Sequence, residues 1–123
     1  MKPRKVLAII QARYASKRLL GKVLLKLGEQ SVLEHVIDRA RSAKSVNQVL
    51  VATSTEPSDD QIALLCGQKK IEFYRGQLTN VLDRFVQTAR LFGADVVVRL
   101  TADNPALEPK WIDEAVLMLI SKN

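Results

Sequence analysis

Short apolar runs alternate with amphipathic stretches along the whole chain. Val6-Leu7-Ala8-Ile9-Ile10 is continuous and apolar, and predicts a first strand over residues 5–11. Ser31 with Glu34 three residues on forms a capping-box pattern, and Val32, Leu33, Val36, Ile37 and Ala40 follow at helical spacing, predicting a first helix. Residues 48–53 predict a second strand. Pro57-Ser58-Asp59-Asp60-Gln61 predicts the start of a second helix, with Ser58 and Gln61 as its cap. Residues 71–75 predict a third strand. A third helix is predicted over 80–92, stopped by Gly93 as a C′ glycine. Residues 95–101 predict a fourth strand, and its run Val96-Val97-Val98 predicts cover on both faces. Pro109 suits the first turn of a last helix, whose apolar side would be Trp111, Ile112, Ala115, Val116, Leu119 and Ile120.

Strands alternating with helices imply βαβ units and a mostly parallel sheet, hence an α/β fold. Right-handed crossovers leave few topologies, and strand order 3-2-1-4 is the expected one. The winding reverses between strands one and four. A binding crevice is therefore expected at their carboxyl ends, where Arg13–Lys22 and Thr101-Ala102-Asp103-Asn104-Pro105 emerge.

The 123 residues suffice for one domain, 1–123, with a real core, and are too few for two. A hydrophobic content of 47% fits a globular protein rather than a disordered one. No apolar run approaches the roughly 18–20 residues of a membrane span. The basic start Lys2, Arg4 and Lys5 is followed by an apolar run too short for a signal peptide, so a cytoplasmic location is expected. Cys66 is the single cysteine; it can form no intrachain disulfide and reads as a small buried hydrophobe.

Charge narrows the partner. The net charge of +6 is concentrated: residues 1–44 carry 11 Lys/Arg and 3 Asp/Glu, against 8 and 10 in residues 45–123. Binders of long nucleic acid more often spread cations over a face and interleave aromatics. Aromatics here are only 5%, so a small polyanion is expected, with RNA as the weaker alternative.

The cations crowd one loop: Arg13, Lys17, Arg18 and Lys22, with Gly21 the only glycine among them. Walker A and Gly-x-Gly-x-x-Gly spacings are both absent. Arg13 and Arg18 can each present a planar fork to phosphate, and Lys22 a point charge. Gly21 would let the backbone turn and bring Lys22 back over a ligand. On residues alone, a solvated basic loop is the competing reading. Asp103, braked by Pro105, reads either as a turn former or as a Mg²⁺ ligand, since Mg²⁺ takes one or two carboxylates plus substrate phosphates. Other residues read as structural: His35 on a helix face, and Asp59-Asp60 at a helix N-terminus favoured by the dipole. Asp83-Arg84 reads equally as an intrahelix charge pair or part of a base site. Trp111 reads as core or dimer contact rather than a stacking platform.

Ile10-Gln11-Ala12-Arg13, Ser16, Arg18-Leu19 and Gly21-Lys22-Val23-Leu24 together resemble the signature of sugar-acid cytidylyltransferases, the acylneuraminate and 3-deoxy-manno-octulosonate type. The branch of spore-coat polysaccharide biosynthesis protein F is the closest in pattern. Val51-Ala52-Thr53-Ser54, Tyr74-Arg75-Gly76, Val81-Leu82-Asp83-Arg84-Phe85 and Arg99-Leu100-Thr101-Ala102-Asp103-Asn104-Pro105 follow in that branch's order. The resemblance implies a three-layer, Rossmann-like nucleotide-diphosphosugar transferase fold. It implies transfer of CMP from CTP to a sugar acid with release of pyrophosphate, in cell-surface polysaccharide biosynthesis. Arg13, Lys22 and Asp103 would be catalytic, with Asp103 holding Mg²⁺. Gln11, Ala12, Ser16, Arg18, Gly21, Thr53, Ser54, Arg75 and Arg84 would join Arg13 and Lys22 around the nucleotide.

The chain departs from that pattern at Leu20, where the family commonly has Pro, and at Ala15, where it has Gly. These remove a fixed φ and add a Cβ near the phosphate loop; Lys17 adds charge. Family members also run about twice as far, so the chain corresponds to an N-terminal half, truncated before most of the sugar pocket. Three functions compete: a CTP-dependent cytidylyltransferase complete only as an oligomer, with a homodimer expected; a catalytically incomplete nucleotide-binding module; and an RNA-contacting domain.

Overall fold

The computed structural model describes residues 4–15, 21–76 and 81–121, without the side chains of residues 81–84. Strands β1 (Val6–Gln11), β4 (Gln48–Ser54), β5 (Phe73–Gly76) and β6 (Val96–Thr101) form one parallel sheet in the order β5-β4-β1-β6. This is the predicted 3-2-1-4 order. A two-residue pair, β2 (Lys26–Leu27) with β3 (Gln30–Ser31), forms a small antiparallel hairpin between β1 and the first helix. Helices α1 (Val32–Arg41), α2 (Asp60–Gln68), α3 (Val81–Leu91) and α4 (Pro109–Ser121) complete the element list with two short 3₁₀ turns, Lys22–Leu24 and Pro57–Asp59.

Side-chain alternation sorts the core into layers. Ala8, Ile10, Val49 and Val51 point to one face and meet Leu33, Val36, Ile37 and Ala40 of α1 and Ile62 and Cys66 of α2. Val6 and Val96 meet Ile112 and Val116 of α4 on the same face. Leu7, Ile9, Leu50 and Ala52 point the other way, against Phe85 of α3. The β1 strand, paired on both edges and covered on both faces, is the middle of the molecule. Burial pushes the Cys66 thiol up to about 11, as expected of an inert core residue.

Helix ends follow the sequence in part. The Ser31 hydroxyl accepts from the Glu34 N–H, the predicted capping contact. Gly93 sits at φ +64, with Gly93 N–H on Arg90 O and Ala94 N–H on Ala89 O. Those two bonds are a Schellman motif. The helix α2 ends the same way: Ile71 N–H reaches Cys66 O and Lys70 N–H reaches Gly67 O, but Lys70, not glycine, holds φ +57.

Four expectations need correction. Ser58 and Gln61 do not cap α2; Pro57–Asp59 first makes a 3₁₀ turn, and the helix starts at Asp60 behind Asp59. The third strand begins at Phe73, because residues 69–72 unwind from the α2 terminus. Strand β6 is not covered on both faces: Val97 is 38% exposed while Val96 is buried. It is an edge strand, and α3 covers only the β1–β4 side of that face. In α4 only Ile112 and Val116 are buried, and Trp111 is 56% exposed, so it is not core. Among the described residues no helix is long and apolar enough to cross a membrane.

Candidate active site

In the parallel sheet Gln11 stands beside Thr101 and Ala52, and the ladder continues one step further through Ala102 N–H to Gln11 O and Ala12 N–H to Ala52 O. The segments leaving β1 and β6 therefore start in register at the point where the winding reverses. They enclose a cavity of about 200 Å³ lined by Gln11, Arg13, Lys22, Val23, Thr101, Ala102 and Asp103. Pockets that enclose a whole drug-sized ligand run to roughly 300–1,000 Å³, so this one is smaller than a pocket of that kind.

Lys22 reaches the cavity because the loop closes on itself. Gly21 N–H donates to Tyr14 O at 2.8 Å, and Gly21 lies at φ +73 before the Lys22–Leu24 turn. Its α-carbon also packs on Tyr14: a Cβ there would stand 2.9 Å from the ring. Glycine is thus required for conformation and for space. Ser16, Lys17 and Arg18 lie outside the described residues.

Charge in the cavity is unbalanced by the fold. Lys22 and Asp103 line the same space yet take part in neither of the two ion pairs among the described residues, which are Arg13–Asp59 and Arg75–Asp60. Arg13 uses Nε on Asp59 at 3.0 Å, leaving its two terminal nitrogens without a hydrogen bond among the described residues. An arginine edge, an ammonium and a carboxylate thus face one opening with capacity to spare.

The other predicted residues lie elsewhere. Ala12 is buried in the core. Thr53 and Ser54 are buried at the end of β4; the Ser54 hydroxyl donates to Asp59, and the Thr53 hydroxyl has no partner among the described residues. Arg75 braces the turn after β4, donating to Ser54 O at 2.8 Å, Glu56 O at 3.0 Å and Asp60 Oδ1 at 2.8 Å. The Arg84 and Asp83 side chains lie outside the described residues. His35 Nε2 lies 2.7 Å from Leu27 O and ties α1 to the β2–β3 hairpin.

A model of the family described as Cytidylyltransferase matches residues 7–123. The chain belongs to the cytidylyltransferase family. The spore coat polysaccharide biosynthesis protein SpsF of Bacillus subtilis is 38% identical over 112 residues, which are 88% of this chain and 47% of that protein. A solved cytidylyltransferase of Leptospira borgpetersenii superposes with a TM-score of 0.87 at 31% identity, over 94% of this chain and 48% of the other. A CMP:2-keto-3-deoxy-manno-octonic acid synthetase solved with CTP gives 0.84 at 26% identity, over 95% and 48%. The chain spans about half the length of these family relatives.

Two residues at the site were not singled out as functional from the sequence. Asp59 reads as a helix-start carboxylate, but its side chain is fully buried and holds Arg13, 46 residues away. Arg99 lies over the Phe85 ring at 5.0 Å and its Nη2 stands 3.4 Å from Gln11 Oε1. No local pattern flags either contact, since both partners come from distant elements.

Proposed function

We propose that this chain supplies the CTP-binding part of a cytidylyltransferase that moves CMP from CTP onto a sugar acid and releases pyrophosphate. The observation carrying the proposal is the cavity in which Arg13, Lys22 and Asp103 converge, with Lys22 and Asp103 in no ion pair among the described residues. Family membership and the CTP-bound relative supply the nucleotide.

In this reading a hydroxyl oxygen of the sugar acid attacks the α-phosphorus of CTP in line and gives up its proton to water. The bond to the bridging oxygen breaks, and pyrophosphate leaves with its electron pair. Little covalent work falls to protein groups, so positioning and neutralisation of charge carry the rate. The terminal nitrogens of Arg13 take phosphate oxygens as a fork, and Lys22 takes them as a point charge. Loss of one such preorganised donor costs on the order of 10²–10³ in rate. Mg²⁺ fits the residues present: Asp103 lines the cavity beside the cations and has no ion pair among the described residues, the one-carboxylate-plus-phosphate arrangement this ion accepts. When bound there, the ion would neutralise phosphate charge and polarise the α-phosphorus. The turn after β4 serves the nucleotide side by fixing the first loop through Asp59.

The reaction is tested by pyrophosphate release from CTP and Mg²⁺ with a panel of 3-deoxy-2-keto sugar acids and other sugars. Release only with CTP and an acid sugar is expected. Release with other nucleotides or neutral sugars, in the absence of release with CTP, contradicts it. A cytoplasmic place in cell-surface polysaccharide synthesis, and a homodimer, belong to the same proposal. Apolar side chains exposed along α4, Leu117 at 69% and Met118 at 60%, support association; a monomer mass in sedimentation at micromolar concentration would remove the dimer.

A further inference from the structure

We propose that Asp59 is the positioning residue that sets both cations of the cavity, resting on the reading of that cavity as a triphosphate site. Asp59 is fully buried in the 3₁₀ turn after β4. Its Oδ2 accepts from Arg13 Nε at 3.0 Å and from the Ser54 hydroxyl, and its Oδ1 accepts from the Tyr14 backbone N–H at 2.7 Å. One carboxylate therefore grips two successive residues of the β1 loop and the last residue of β4.

The grip on Arg13 is side-on. Binding Nε rather than the terminal nitrogens fixes the guanidinium plane and leaves the Nη edge for phosphate oxygens. The grip on Tyr14 is relayed. Tyr14 O accepts from Gly21 N–H, and Gly21 opens the turn that carries Lys22. Arg13 and Lys22 are thereby placed relative to each other from one buried atom pair. A carboxylate buried without that duty would be a poor choice for stability, because desolvation offsets most of the gain of a buried ion pair.

The test uses the full chain with two probes, CTP and inorganic tripolyphosphate, each with Mg²⁺, in calorimetry. Asp59→Asn keeps the shape but removes the charge that orients Nε. It is expected to weaken both probes about tenfold or more, the usual worth of a hydrogen bond to a charged group. In an Arg13→Ala background the same change is expected to add less but not nothing, because the fork it aims is gone while the relay through Tyr14 to Lys22 remains. Arg13→Lys, which keeps the charge and leaves Asp59 in place, is expected to bind as poorly as Arg13→Ala, and this arm holds if Asp59→Asn does not fold. In the unliganded wild type, the Arg13 Nε–Hε resonance is expected to be observable and slow to exchange.

Unchanged affinity in folded Asp59→Asn, or wild-type affinity in Arg13→Lys, overturns the inference. A lowered melting temperature with unaltered affinity reduces Asp59 to a structural role and overturns it equally. Binding of tripolyphosphate but not CTP removes the cytidylyl reading while leaving this inference to stand or fall on the variants. Failure of both probes to bind the wild type overturns both.

Discussion

Gly21 is the residue on which the site's geometry turns. A side chain there meets the Tyr14 ring at 2.9 Å and must hold φ +73. Gly21→Ala is expected to cost about 1–2 kcal/mol in chemical denaturation from the left-handed backbone alone, with the clash adding to it. Affinity for CTP should fall with it, since Lys22 follows directly. At this scale the meeting of Arg13 and Asp103 at one cavity was legible because each stands two residues past a strand end, Gln11 and Thr101, and that of Lys22 because Gly21 precedes it. Asp59 was not, because nothing local separates it from Asp60. The pair differ only in what reaches them through space: Asp59 meets Arg13 in the interior, and the Asp60 side chain meets Arg75 at the surface.

At the scale of elements, both Schellman termini follow from chain direction, but only Gly93 has the residue that its conformation favours. Lys70 holds φ +57 at the end of α2 with the same two bonds. Lys70→Gly should relieve that strain, less the added freedom of the unfolded chain, for a gain on the order of 0.5–1 kcal/mol in urea unfolding. The α4 helix is pinned by Asp113, which accepts from Ser45 N–H at 2.7 Å, from the Ser45 hydroxyl at 2.5 Å and from Lys44 N–H at 3.1 Å. The Ser45 hydroxyl and backbone bonds, with Lys44, hold its carboxyl below the ordinary 3.8. A depressed folded-state value contributes stability above the unfolded value, lost as pH falls through the folded one. Asp113→Ala should therefore lower the melting temperature at pH 7, and the difference from wild type should shrink below about pH 4. Among the described residues, periodicity located the four α-helices and the four strands of the parallel sheet, since each carries enough apolar residues to show a period. It missed the β2–β3 hairpin, too short to show one. It also overstated β6: a β-branched run reads as central whether or not a helix lies over its outer face.

For the whole molecule, charge and topology agree. The excess of cations lies in residues 1–44, and the parallel order brings that segment to the winding reversal opposite Asp103. The chain spans about half the length of its family relatives. The side of β6 carrying Val97 and the outer side of α4 are left with exposed apolar residues.

The measurement closest to the central claim is calorimetric titration of CTP into the wild type and Asp103→Ala, each with and without Mg²⁺. The account predicts binding by the wild type that strengthens about tenfold or more with Mg²⁺, and no such Mg²⁺ gain in Asp103→Ala. Equal Mg²⁺ dependence in the two proteins, or CTP binding indifferent to Mg²⁺ in both, would contradict it.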